Sequence, residues 1–218
     1  MSEAPPGLEH VRAALALPEF DGRAAGATMA PGGRPRSPAS GPADSQDVRA
    51  PREASALLYL FERDGVLHFP LTLRRADLPE HRGQVSFPGG RPVVGEDNWT
   101  TATREAHEEI GLDRTLPVSL GRLAPVWIPP THTWMHVWVG TGPEVAFVKD
   151  EREVADVQVA SIADLIDPRT RQEEVWERRG APWRVPSYQL CGWTVWGATA
   201  VALGEFVSRL QSVHPGSA

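Results

Sequence analysis

The chain has 218 residues and a formal net charge of −6, enough sequence for one domain with a substantial core and some length to spare. The acidic balance argues against a nucleic-acid-backbone binder, which needs a basic face, and the single cysteine, Cys191, excludes an internal disulfide and a cysteine-rich zinc centre. No run of about 18 apolar residues suggests a membrane span, and the opening MSEAPPGLEH lacks the basic and apolar regions of a signal peptide, so a reducing cytoplasm is the expected setting.

Residues 7–17, GLEHVRAALAL, place Leu8, Val11 and Leu15 at helical spacing, so segment 1–17 is expected to carry a short helix that packs on the domain or on a partner. Residues 18–52 are dominated by Gly, Pro, Ala and Ser, with few large apolar side chains to offset the entropy of ordering. They are expected to form a linker or long loop, with partial ordering across the surface as the alternative. A globular domain follows over 53–212, then a tail at 213–218. In it, ASALLYLFER reads as a strand, Asp64-Gly65 as a hairpin turn and VLHFPLTLRR as the partner strand. The segment ADLPEHRGQVSFPGG reads as a loop with a short strand at QVSF.

Past residue 112, GRLAPVWIPP and THTWMHVWVGTG read as two strands with a Pro-Pro break, and PEVAFVKDEREVADVQVASIADLI as short strands followed by a helix from about Ser161 to Ile166, stopped by Pro168. EEVWERRGAPWRVPSYQL reads as a hairpin turning at residues 179–182, and TVWGATAVALGEFVSRLQS as an amphipathic or largely buried helix. Strands and helices mixed around one core point to an α/β sandwich.

Residues 90–112, GRPVVGEDNWTTATREAHEEIGL, carry the chemistry. Glu105, Glu108 and Glu109 stand at i, i+3 and i+4, which puts three carboxylates on one helical face. Like charges so placed repel by roughly 0.2–0.5 kcal/mol per pair, so stability alone gives no reason for the arrangement, whereas a hard divalent cation does. Asp97 or Asn98 is the expected N-cap and Gly111 the C-cap. Trp99, Ala102, Ala106 and Ile110 form the opposite stripe, expected to bury against a sheet. Arg104 and Glu96 are expected to pair and lock the loop onto the helix.

The full spacing is Gly90, five residues, Glu96, seven residues, then Arg104-Glu105-Ala106-x-Glu108-Glu109-x-Gly111-Leu112. It resembles a complete Nudix box. The resemblance implies a Nudix-type α/β/α sandwich with a mixed central sheet and a catalytic loop-helix. It also implies Mg²⁺ or Mn²⁺ held by Glu105, Glu108 and Glu109 with a carbonyl near Gly90, and a small-molecule nucleotide as substrate. The general base varies within that family. Glu153 is the expected added ligand or base, with Asp150 and Glu151 as competitors, while Glu96 is expected to orient Arg104.

Upstream, Leu71-Thr72-Leu73-Arg74-Arg75, Leu78 and His81-Arg82-Gly83-Gln84-Val85-Ser86-Phe87-Pro88-Gly89-Gly90 resemble the motif of the coenzyme A pyrophosphatase subgroup, with Arg75 where Ser is common. Trp196-Gly197-Ala198-Thr199-Ala200 resembles the start of that subgroup's last helix. The expected reaction is hydrolysis of coenzyme A or its thioesters to 3′,5′-ADP and (acyl-)4′-phosphopantetheine. Arg74, Arg75, Arg82 and His81 are placed to meet phosphates, a structural hydrogen bond being the alternative for His81. The competing readings are a Nudix hydrolase of ADP-ribose, a dinucleotide cofactor or a nucleoside triphosphate, and a nucleotide-sensing domain without turnover. No nucleic-acid or membrane partner is expected, and the protein is expected to be a monomer or homodimer. His132 and His136 lie in a strand-like stretch without the glutamate of a zinc helix, so zinc is not expected there. Trp127, Trp134 and Trp138 are expected to pack in the sheet, with base stacking as the alternative. Cys191 is expected to pack rather than react.

Overall fold

A computed structural model of the chain describes residues 4–32, 50–78, 82–178 and 180–215. Strands β1 (Arg52–Arg63) and β2 (Val66–Arg74) form the expected hairpin. Its two turn residues, Asp64 and Gly65, both have positive φ, 51° and 75°, the requirement of a type I′ turn. The two-residue strands β3 (Val85–Ser86) and β4 (Gly89–Gly90) pair with β2 and β1 respectively. Helix α3 (Asn98–Ile110) then leads to β5 (Val118–Arg122), β6 (Val126–Ile128) and β7 (Thr133–Thr141), and β8 (Val154–Ser161) returns to pair with β2. β7 runs parallel to β1, whereas the other pairings are antiparallel, so the sheet is mixed.

The layers follow from β1. Leu57, Tyr59 and Phe61 point to one face, where they pack with Ala102, Ala106 and Ile110 of α3. Ala56, Leu58 and Leu60 point to the other, into the main core. A strand buried on both faces carries a continuous apolar run instead of an alternating one. The second face is covered by α1 (Leu8–Leu15), α4 (Ile162–Ile166) and α5 (Gly197–Val213), with α2 (Gly22–Ala27) packed on α5. The expected α/β/α sandwich is therefore present, and no helix among the described residues is long and apolar enough to cross a membrane.

The structure adds three features. Of the stretch expected as linker or long loop, residues 22–27 form α2, which packs across α5, and Met29 is 0% exposed. Small residues make this possible: a Cβ on Gly26 would lie 2.8 Å from the Val201 carbonyl oxygen, and one on Gly204 2.6 Å from Met29 Cγ. Counting large apolar side chains misses contacts made by glycine. Residues 33–49 lie outside the described residues. Second, residues 143–149 do not form the expected short strands. Their backbone is instead drawn to the end of α3, where Val148 N–H donates to the Ile110 carbonyl (3.0 Å) and Asp150 N–H to that of Glu109 (2.9 Å), satisfying open helix carbonyls. Third, β9 (Arg171–Arg178) and β10 (Ala181–Leu190), the expected hairpin, are joined by an unforeseen strand β11 (Trp193–Trp196), so that the last helix starts only at Gly197.

Candidate active site

The loop that precedes α3 is pinned by glycine. At Gly89 a Cβ would lie 2.5 Å from the Ser55 carbonyl oxygen and 2.7 Å from Ala56 Cα, so only glycine lets β4 lie against β1. At Gly90 the obstruction is a functional group: a Cβ there would sit 2.6 Å from Glu105 Oε2 and closer still to the rest of that carboxylate. Asp97 caps α3, its side chain accepting from Thr100 N–H at 2.7 Å, and Gly111 closes it in the left-handed conformation, φ 69°.

Arg104 joins loop to helix as expected. Its Nε donates to Glu96 Oε1 at 2.8 Å, and its Nη2 to the Arg91 carbonyl at 2.8 Å. Nη1 lies 2.9 Å from Glu105 and 2.7 Å from Glu108. The side chain is only 13% exposed. The hydrogen bond to Glu96 raises the Arg104 pKa and lowers that of Glu96. Thr101 Oγ1 also donates to Glu96 (3.1 Å), a partner the sequence did not reveal.

Glu109 is 7% exposed and accepts a long hydrogen bond, 3.3 Å, from Gly89 N–H. Burial, then the neighbouring charge of Glu105, push its pKa up to about 8. Burial also raises that of Glu105, against the pull of Arg104. The structure thus brings Glu105 and Glu109 together over Gly89-Gly90, while Glu108 is drawn outward to Arg104. Among the described residues no three His, Cys, Asp or Glu side chains converge closely enough to cage an ion in this conformation. The fit to a divalent cation rests on the Glu105–Glu109 pair: two desolvated carboxylates side by side, with hard oxygen donors suited to Mg²⁺ or Mn²⁺.

The remaining expected residues divide. Arg74, at the end of β2, meets Glu153 across a loose ion pair, 3.4 Å, and both charges act on Glu109. This brings Glu153 to the site. Arg75 turns to Asp77, with 2.9 and 2.7 Å hydrogen bonds to its carboxylate, and to the Glu151 carbonyl at 2.6 Å, so it ties the 150s loop to β2. Arg82 donates from Nε to the Leu78 carbonyl at 2.7 Å, closing its own loop. Asp150 is engaged by Arg152. His81 lies outside the described residues.

The sheet tryptophans pack. Trp138 meets Trp99 edge-on at 5.5 Å against α3, and Trp127 meets Trp134 at 5.1 Å, with Arg23 over the Trp134 ring. His136 bonds Glu53 at 2.6 Å. Burial pushes the Cys191 thiol up to about 11, which keeps it protonated and unreactive at neutral pH.

Fold and site together define a class: an α/β/α sandwich carrying a glycine loop and an acidic, arginine-locked helix on one face of a mixed sheet. Residues 51–183 match the family model described as the NUDIX domain, and the chain belongs to the Nudix family. It is 33% identical over 172 residues to the human protein named mitochondrial coenzyme A diphosphatase NUDT8, covering 77% of this chain and 72% of that one. It is 50% identical over 68 residues to Nudix hydrolase 15, mitochondrial, of Arabidopsis thaliana, a match over 30% of this chain that spans only 24% of the plant protein. Among solved structures it is similar to a MutT/nudix family protein from Enterococcus faecalis, with TM-score 0.48 and 13% identity, covering 75% of this chain and 63% of that one.

Proposed function

We propose that the protein is a metal-dependent pyrophosphohydrolase that cleaves the diphosphate of a nucleoside diphosphate derivative, coenzyme A or its thioesters, to 3′,5′-ADP and (acyl-)4′-phosphopantetheine. The observation that carries the chemistry is the desolvated Glu105–Glu109 pair against Gly89-Gly90. Coenzyme A as substrate is supported by the upstream motif, Leu71 to Gly90, and by the similarity to the human coenzyme A diphosphatase.

In this reading Glu105, Glu108 and Glu109, with a carbonyl near Gly90, would hold Mg²⁺ or Mn²⁺. A bound divalent ion neutralises diphosphate charge and acidifies a ligated water. Arg104 fixes the direction of Glu105 and is itself fixed by Glu96. Arg74 is assigned to a phosphate oxygen, with Glu153 as its counter-charge and as the candidate added ligand or base. Arg75 holds the 150s loop that presents Glu153, and Arg82 and His81 are assigned to the substrate's remaining phosphate. A cytoplasmic setting and a monomer or homodimer complete the reading.

The test is a rate comparison with Mg²⁺ or Mn²⁺ across coenzyme A, dephospho-coenzyme A, ADP-ribose, NADH and nucleoside triphosphates. Coenzyme A is expected to turn over fastest, with dephospho-coenzyme A slower through loss of the 3′-phosphate contact. Faster cleavage of another diphosphate would retain the metal chemistry and remove the coenzyme A assignment. Absence of any metal-dependent turnover would favour a nucleotide-sensing domain.

A further inference from the structure

Trp176, Trp183, Trp193 and Trp196 all lie on the three-stranded sheet of β9, β10 and β11. By its register Ser187 lies opposite Trp196, Gln189 opposite Thr194, Trp183 opposite Trp176 and Val185 opposite Glu174. Residues two apart share a face, so Glu174, Trp176, Thr194 and Trp196 lie on one side of the sheet. That side lines an open cleft of about 380 Å³, bordered by Trp193 and Gly192, by Leu73 of β2 and Val85 of β3, and by Gly83 in the turn before β3. Trp176 and Trp196 meet edge-on with ring centroids 4.8 Å apart.

We propose that this cleft is the subsite for the purine base of the substrate; the proposal rests on the reading of the protein as a nucleoside diphosphate hydrolase. Location supports it. Leu73 lines the cleft, and the next residue, Arg74, meets Glu153 beside Glu109. Gly83, on the opposite wall, donates its N–H to the Arg74 carbonyl at 3.2 Å. The β2–β8 register shifts between Leu73 and Arg74, an irregularity of the kind that re-aims side chains at a strand end. Leu73 and Arg74 are consecutive, so their side chains leave opposite faces of β2, and a nucleotide joining the cleft to Arg74 would pass round the end of that strand.

Chemistry supports a base over the flexible amide chain at the substrate's other end. The polar side chains of the cleft are already committed: Glu174 accepts from Trp176 Nε1 at 2.7 Å, and Thr194 Oγ1 exchanges hydrogen bonds with Gln189 at 3.0 and 3.2 Å. What remains for a ligand is chiefly indole surface, and every base has a π-face that stacks on it. The wall opposite is open at Gly83, where a Cβ would meet nothing within 4 Å.

Trp176 is half-buried on the edge strand β9, so Trp176→Leu keeps apolar bulk and removes the ring, and Trp176→Phe keeps a ring. Matched melting temperatures show that the fold is intact. Two readouts are taken: steady-state kinetics on coenzyme A, and calorimetric titration with adenosine 3′,5′-bisphosphate without metal. In Trp176→Leu the KM for coenzyme A is expected to rise about tenfold, and bisphosphate binding to weaken about tenfold. The kcat is expected to stay within about twofold, because the lost contact acts alike on ground and transition states. Trp176→Phe is expected to recover most of the loss. If wild type and Trp176→Leu cleave coenzyme A with the same KM, the cleft proposal falls while the functional reading stands. If KM rises but bisphosphate affinity does not move, the cleft takes the other half of the substrate and the base assignment is overturned. If no nucleoside diphosphate is cleaved, the functional reading fails by itself, and the calorimetric titration decides the cleft: binding weakened in Trp176→Leu supports it, and equal affinity in the two proteins, or no binding to wild type, overturns it.

Discussion

Gly90→Ala separates the site from the fold more sharply than any change to a charged residue. The added methyl would sit 2.6 Å from Glu105 Oε2 and closer to the carboxyl carbon, against an ordinary separation of about 3.5–4.0 Å. The backbone at Gly90 is not in the left-handed region, so alanine is conformationally acceptable there. Relief therefore comes from moving the Glu105 side chain by roughly 1 Å, a displacement that can cost about a hundredfold in rate when the group is a ligand or positioning element. The neighbouring substitution is the control. At Gly89 the obstructing atoms are backbone, Ser55 O and Ala56 Cα, so Gly89→Ala must unseat β4 from β1 and is expected to cost about 1–3 kcal/mol of stability. Melting curves and kcat on the fastest-cut diphosphate, measured side by side, give the comparison. Gly90→Ala is expected to keep its melting temperature within a few degrees and lose about two orders of magnitude in kcat, whereas Gly89→Ala melts lower. Near-normal turnover by Gly90→Ala would refute the placement of Glu105 as a ligand over that glycine.

Glu109→Gln is expected to lower kcat by at least about a hundredfold, since a neutral amide forfeits several kcal/mol of metal-based charge stabilisation, while the metal-free protein melts no lower, because the amide matches the neutral carboxyl favoured by burial beside Glu105; thermal melts in a chelator and kinetics in Mg²⁺ check both halves. Arg104→Ala should lower kcat by about 10–100-fold by freeing Glu105 and should also lower the melting temperature, with partial recovery in Arg104→Lys; an unchanged rate would remove the positioning role. Gly22→Ala presses on Glu205, whose carboxylate is held by Arg209 Nε at 2.8 Å and Ala124 N–H at 2.9 Å; a loss of about 1–3 kcal/mol in denaturant unfolding with unchanged kcat/KM is expected, and altered kinetics would mean that the α2–α5 layer reaches the site.

The parts of the site legible in the sequence are those whose geometry is local. A helix fixes which residues share a face, so the carboxylate row, the Asp97 and Gly111 caps and the apolar stripe beneath could be read from spacing alone. The Glu96–Arg104 pair was legible too, because its partners are eight residues apart, across the cap and first turns of α3. Side-chain competition was not legible. Spacing puts Glu108 with Glu105 and Glu109, but Arg104 Nη1 reaches both Glu105 and Glu108 and draws Glu108 aside. Nor does a run of arginines show which one meets a carboxylate at the site: Arg74 does, while Arg75 is taken by Asp77 two residues away. Long-range pairing hid the most. β11 is four residues long and reads as the lead-in to a helix, yet its pairing with β10 is what gathers Trp176, Trp193 and Trp196 into a cleft. The helix at residues 22–27 was hidden because its packing depends on the absence of side chains.

The most direct measurement is the mass spectrum of coenzyme A after incubation with the protein and Mg²⁺. The account predicts 3′,5′-ADP and 4′-phosphopantetheine in equal amounts, formed only with the divalent ion and lost in Glu109→Gln. Intact coenzyme A under those conditions, with another nucleoside diphosphate cleaved beside it, would contradict the assigned substrate. Cleavage that persists undiminished in Glu109→Gln would contradict the assigned site.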